Sequence, residues 1–144
     1  MLYDREHTLG HAFFYPAYQA VKNGEKMVVL WGSGRPTRDF LYVEDGARAI
    51  VTAMEKYDSP EALNLGSGTE ISIKELALMI AKICGFKGKF VWDSAKPDGQ
   101  PRRCLDIKNA QRAINFKTRV DFRSGLAKTI EWYKSINILD IRNM

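Results

Sequence analysis

The stretch Trp31-Gly-Ser-Gly-Arg-Pro-Thr-Arg-Asp-Phe-Leu-Tyr-Val-Glu-Asp45 stands where the hydrophobic period of the chain changes, and so decides the fold class. Just before it, Met27 to Trp31 is a continuous apolar run of strand length. Inside it, Gly32-Ser-Gly-Arg-Pro36 is turn chemistry, and Asp39 to Val43 reads as a second short strand with Phe40 and Tyr42 on one face. Beyond it, with Asp45 as N-cap, Ala47, Ile50, Val51 and Met54 fall at i, i+3, i+4 and i+7, which predicts an amphipathic helix ending near Tyr57. Strand, turn, strand and helix in that order is the signature of an α/β chain.

The alternation continues in both directions. Upstream, Met1 to Gly10 has no periodicity, and a helix is expected from Pro16 to Lys22, stopped by Asn23 and Gly24. Downstream, Ala62 to Leu65 reads as a short strand running into Gly66-Ser-Gly68. Ser72 and Glu75 have capping-box spacing ahead of Leu76, Ile80 and Ile83, with Gly85 as the stop. Lys89 to Trp92 is a strand, Asp93 to Arg103 a loop, and Asp106 the cap of a short helix to about Ile114. A last helix from about Phe122 to Ile136 carries Phe122, Leu126, Ile130 and Tyr133 on one face. With no internal repeat and no linker, residues 1–144 read as a single domain.

Composition narrows the function. Hydrophobic residues at 45% and charged ones at 27% are globular values, which excludes a disordered or low-complexity chain. No apolar run approaches the ~18 to 20 residues of a membrane span, and the mixed charges of Met1 to His7 do not make a signal peptide, so a cytoplasmic protein is expected. Cys84 and Cys104 are too few and too far apart for a disulfide framework or a zinc site. His7 and His11 lie four apart with Gly10 between them and no third ligand, so no metal site is expected. The net charge of +5 is concentrated: Phe86 to Arg119 carries nine bases against three acids. These bases are spread over a loop and helix faces with no nucleic-acid motif, which points to a small anion in preference to DNA, RNA or a membrane, unless they form a merely solvated face.

Two positions could hold such an anion. Arg38 follows a glycine-rich turn and offers a planar guanidinium fork. The loop Lys96-Pro-Asp-Gly-Gln-Pro-Arg-Arg103, stiffened by two prolines, ends in adjacent arginines. Guanidinium groups from two rigid turns suit a diphosphate. The plainer readings are a core position for Trp31, a surface ion pair of Arg38 with Asp39 or Glu44, and a solvated face for Arg103.

The ordered motifs from Trp31 to Asp45, Asn64 to Gly68, Ile71 to Ala77, Lys96 to Arg103 and Gly125 to Trp132 resemble the C-terminal part of the extended short-chain dehydrogenase/reductase family, the NAD-dependent epimerase/dehydratases. The Lys-Pro-Asp-Gly loop is most similar to the GDP-sugar branch, whose complete enzymes epimerise a 4-keto sugar and reduce it with NADPH. The resemblance implies an α/β substrate-binding region without the N-terminal Rossmann half, with Trp31 and Arg38 contacting a nucleotide-sugar and Arg103 gripping its pyrophosphate from the other side. Asp98, in the same loop, is counted with them. It also implies what the chain lacks: the glycine-rich cofactor turn and the catalytic Ser or Thr with Tyr-x-x-x-Lys. Tyr18 and Lys22 match that spacing but fall on the wrong side of the Met1-Leu-Tyr-Asp4 segment, and the family's catalytic His would align near Phe13, with His11 only a neighbour. No catalytic or cofactor-binding residue is therefore expected, and the chain alone should be inactive and bind no NADP. The helix after Asp45 and the strand at Ala62 would need another cover, which predicts a larger enzyme or a homo-oligomer. The alternative is a non-catalytic nucleotide-binding or self-associating module.

Overall fold

The structure is a computed structural model that describes residues 15–135. Its elements are α1 (Tyr15–Asn23), β1 (Met27–Trp31), β2 (Thr37–Asp39), α2 (Val43–Lys56), β3 (Glu70–Ser72), α3 (Ile73–Cys84), β4 (Lys89–Asp93), β5 (Arg102–Arg103), α4 (Lys108–Ile114) and α5 (Phe122–Ser135). The expected α/β alternation is present. β1 pairs with β4 in parallel, Met27 opposite Lys89 and Trp31 opposite Asp93. β2 is the middle strand of a second sheet, antiparallel to β3 and parallel to β5.

Although β1 is apolar throughout, it buries one face only. Val28 and Leu30 point inward onto Ala20 of α1 and Ala77 of α3, while Met27, Val29 and Trp31 alternate outward. α3 is the helix that the core is built on. Ser72 and Glu75 form the expected capping box, Gly85 ends the helix at φ +74°, and Leu76 and Ile80 pack on Ile130 of α5. The turn after β1 supplies further caps: Ile73 N donates to Pro36 O and Lys74 N to Gly34 O, both at 2.9 Å.

Several expectations need correction. The second strand is Thr37–Asp39 in place of Asp39 to Val43. Phe40 and Leu41 leave the sheet to pack in two different hydrophobic clusters, Phe40 against Phe122 at a ring separation of 5.4 Å, so the ladder cannot continue. α2 starts at Val43 after Tyr42, and Asp45 is not its cap. Asp45 lies within the first turn, fully buried, and its carboxylate accepts Arg119 N at 3.0 and 3.1 Å and Val120 N at 3.1 Å and pairs with the Arg48 guanidinium. A tertiary tie has displaced a local one. Ala62 to Leu65 forms no strand: Leu63 and Leu65 are drawn into a cluster with Ala49, Ala110, Ile114 and Phe116. α4 begins at Lys108 after Ile107, one residue beyond the expected cap, although Asp106 still accepts Lys108 N at 3.0 Å.

α2 packs on α4 through Ala49, while its larger side chains face outward: Val43, Ile50, Val51 and Met54 are 72, 56, 55 and 82% exposed. Met1 to Gly10, His7, His11 and Phe13 lie outside the described residues, as does the side chain of Tyr18. Among the described residues no helix is long and apolar enough to cross a membrane, and Cys84 and Cys104 are free thiols.

Burial pushes the Asp45 carboxyl up, but the N–H groups of Val120 and Arg119 and the Arg48 guanidinium outweigh it, and its pKa falls below the ordinary 3.8. A depressed folded-state pKa contributes stability that is fully present above the unfolded value and is lost as pH falls through the folded one. Asp45→Asn should cost about 1–3 kcal/mol at pH 7 in urea unfolding. The variant should also lose part of the decline in stability that the unmodified chain shows below about pH 4.

Candidate functional site

The expected ligand-binding residues sit where strands end or meet. β1 ends on Trp31, whose outward position leaves it 69% exposed, so the indole is a surface group and not a core one. Lys96, in the loop after β4, holds its ammonium 5.3 Å from the ring centroid, within cation–π range.

The turn that follows Trp31 works only with glycine. Gly32 has φ +80° and a side chain there would collide with the Asp98 carboxylate; at Gly34, φ +73°, a Cβ would lie 2.8 Å from the Trp92 ring. That clearance lets the Lys96–Arg103 loop close onto the turn. Asp98 fastens it: Oδ1 accepts Ser33 N at 2.5 Å and Oδ2 accepts Ser33 Oγ at 2.7 Å. These bonds, the backbone one foremost, hold the Asp98 carboxyl below its ordinary value, so it is ionised at neutral pH. The far end of the loop is tied to β2 by Thr37 N donating to Pro101 O at 3.0 Å. Asp98 therefore positions the loop, with both oxygens already engaged.

Arg38 of β2 and Arg103 of β5 are register partners on adjacent parallel strands. Such partners stand about 4.8 Å apart along the hydrogen-bonding direction and project to the same face. The tandem arginines differ sharply. Arg102 donates from Nε to both Glu70 oxygens, at 2.8 and 3.0 Å, and from Nη2 to Oε1 at 2.5 Å, while Thr37 Oγ1 donates to Glu70 Oε2 at 2.7 Å. The Arg102 bonds first and then Thr37 keep Glu70 below its ordinary pKa, so Arg102 is neutralised by a charged partner. Arg103 is exposed and makes no ion pair among the described residues.

Arg38 is half-buried and donates from Nη1 to Thr37 O at 2.7 Å. Neither Asp39 nor Glu44 pairs with it. Asp39 turns instead to the Ser67-Gly68 loop, accepting Ser67 N at 2.8 Å, Ser67 Oγ at 2.5 Å and Gly68 N at 3.1 Å. Two cations in register repel one another. A bridging anion removes that repulsion, and two planar forks on a common face can supply paired N–H donors to phosphoryl oxygens.

Sequence reasoning placed Trp31, Arg38, Asp98 and Arg103 near these turns but missed two partners. Ser33 was legible only as a turn residue, and Lys96 only as a base opening the Lys-Pro-Asp-Gly loop, without its contact to Trp31. The larger cavity, about 590 Å³ between Phe40–Tyr42, α3 and α5, contains none of the four expected residues and, among the described residues, no Lys or Arg. Among the described residues it offers no cation to a diphosphate.

Residues 4–66 match the NAD dependent epimerase/dehydratase family. A probable GDP-L-fucose synthase 1 of Oryza sativa subsp. japonica is 43% identical over 116 residues, covering 81% of this chain and 35% of that protein. The GDP-L-fucose synthase of Escherichia coli K12 is 37% identical over 125 residues, covering 81% of this chain and 39% of that protein. Among solved structures, a GDP-L-fucose synthetase from Naegleria fowleri bound to NADP superposes with a TM-score of 0.81 at 31% identity, covering 89% of this chain and 40% of that one. The chain thus spans little more than a third of the length of the relatives it matches. In sequence and in fold, this chain is related to the NAD dependent epimerase/dehydratase family, with GDP-L-fucose synthases among its relatives.

Proposed function

We propose that residues 1–144 form one substrate-binding domain, corresponding to the C-terminal part of a GDP-L-fucose synthase-like epimerase/reductase, and that it binds the diphosphate of a GDP-sugar. The observation that carries this reading is the register of Arg38 with Arg103, two cations on one sheet face without carboxylate partners among the described residues. Trp31 and Lys96 lie at the other end of the loop that delivers Arg103, and Asp98 holds that loop in place through Ser33. In the clamp, Arg38 and Arg103 orient the diphosphate and neutralise its charge, and the exposed Trp31 indole offers a flat surface to the remainder of the ligand.

A nicotinamide dinucleotide does not fit the two paired-glycine turns, Gly32–Gly34 and Gly66–Gly68. A pyrophosphate needs backbone left open by glycine, but Gly32 is closed by Asp98, Gly34 by Trp92, Gly66 by Asp39 and Leu105, and Gly68 by Ile107. This supports a chain that supplies the substrate clamp and leaves cofactor binding and acid/base chemistry to other residues of a complete enzyme, so that it is inactive alone.

One observation favours a self-associating module as the second reading. The outward stripe of Val43, Ile50, Val51 and Met54 on α2 is an apolar face that a second copy or further domain could cover. Light scattering at micromolar concentration should then report a dimer or larger species that Met54→Lys shifts toward monomer. A strictly monomeric chain would remove the self-association reading without touching the clamp.

Tryptophan fluorescence tests the clamp. GDP should give saturable quenching, and Arg38→Ala and Arg103→Ala should each weaken binding about tenfold, the scale of a lost charge-assisted hydrogen bond. Lys108→Ala, an equal change of charge beside Asp106, should leave it unchanged. Absence of saturation up to millimolar GDP, or equal loss in all three variants, contradicts a localised clamp.

A further inference from the structure

We propose a second anion site on this chain, separate from the Arg38–Arg103 pair, that takes a compact phosphoryl group in a basic cavity between α2 and the segment after α4. The cavity has a volume of about 440 Å³. Its charged lining consists of Arg48 and Lys56 from α2 and Lys117 and Arg119 from the other wall, with no Asp or Glu among the described lining residues. Thr118 adds a hydroxyl group, while the Thr52 hydroxyl donates to Arg48 O at 2.8 Å. It shares no residue with the clamp.

The placement follows from the sequence. Arg48, Thr52 and Lys56 are spaced four apart, so they form one stripe along α2. The opposite wall is fixed by Asp45, because the same carboxylate that pairs with Arg48 also accepts Arg119 N and Val120 N. Asn115, in the left-handed region at φ 51°, turns the chain out of α4 and carries Lys117 and Arg119 back across from α2. The buried acid thereby gathers bases from two elements around one hollow.

Lys56, Lys117 and Arg119 are exposed, and it is their convergence on one hollow that distinguishes them from bases spread over a solvated face. Asp45 is buried and offsets one of the four charges through Arg48, while Lys56, Lys117 and Arg119 make no ion pair among the described residues. Like charges on a convex surface relax by spreading into water. Here they are set around a concavity floored by Ala49, Ile114 and Phe116, where the low-dielectric wall concentrates their field. An anion carrying two or more charges relieves the repulsion, and the Arg forks and Lys ammoniums match phosphoryl oxygens. The phosphoryl group can be free or carried on a nucleotide; both present the same oxygens to these bases.

The test is calorimetric titration of the Arg38→Ala/Arg103→Ala chain, in which the clamp is removed, with inorganic pyrophosphate at 150 mM chloride. Saturable binding with one site per chain is expected, weakened tenfold or more by adding Lys56→Gln and Lys117→Gln, whose side chains make no ion pair among the described residues. In the unmodified chain, pyrophosphate should shift the amide resonances of residues 115–119, a readout that needs no substitution. GDP binding at this site as tightly as pyrophosphate identifies a bare phosphoryl ligand, and GDP binding tenfold tighter identifies a nucleotide-borne one; either supports the site. Binding that vanishes with the clamp arginines, that survives loss of the two lysines, or that a short single-stranded oligonucleotide outcompetes with a steep salt dependence overturns it.

Discussion

A carboxylate sealed from water can remain ionised only if donors surround it, and Asp45 solves that problem with backbone N–H groups 74 and 75 residues away. The same solution recurs at Asp39 with the Ser67-Gly68 loop and at Asp98 with Ser33. A sheet of two strands and another of three short ones cannot fix the long connections between them by ladder bonds alone. Side-chain carboxylates reaching across the chain do so instead, each satisfying N–H groups that the loops leave without ladder partners.

That division of labour has an electrostatic consequence. Asp39 and Asp98 are turned toward backbone and hydroxyl donors, while Asp45 is paired with Arg48 and Glu70 with Arg102, so none of the four is available to the other surface bases around them. In a chain of net charge +5 this leaves particular cations without an ion pair among the described residues: Arg103 beside an Arg102 that is paired with Glu70, and Lys56, Lys117 and Arg119 around one hollow. The structural ties and the anion-binding surfaces are two faces of one allocation of charge. The clamp depends on it directly, since Asp39, the acid next to Arg38, is held by Ser67 and Gly68.

Local signals were legible where local physics decides. The capping box at Ser72 and Glu75, the extent of β1, the start of α5 and the glycine stop at Gly85 follow from neighbours in sequence. The errors share a cause. Asp45 looks like a cap because its partners, Arg119 and Val120, are distant in sequence; Phe40 and Tyr42 alternate like strand residues, but Phe40 packs against Phe122 and Tyr42 is the residue that opens α2; Leu63 and Leu65 are strand-like residues without a strand beside them. At the site, the arginines and Trp31 were legible from turn chemistry and from family resemblance. The engagement of Arg102 by Glu70, which separates the two neighbouring arginines, was not, because Glu70 lies 32 residues away on another strand.

The account turns on Arg38 and Arg103 acting as one clamp. A double-mutant cycle on GDP affinity, comparing Arg38→Ala, Arg103→Ala and the double variant, measures that most directly. Two forks on one diphosphate predict that the double variant loses less than the sum of the two singles, by about 1 kcal/mol or more. Additivity within about 0.5 kcal/mol would mean that the arginines act independently, and would contradict the clamp.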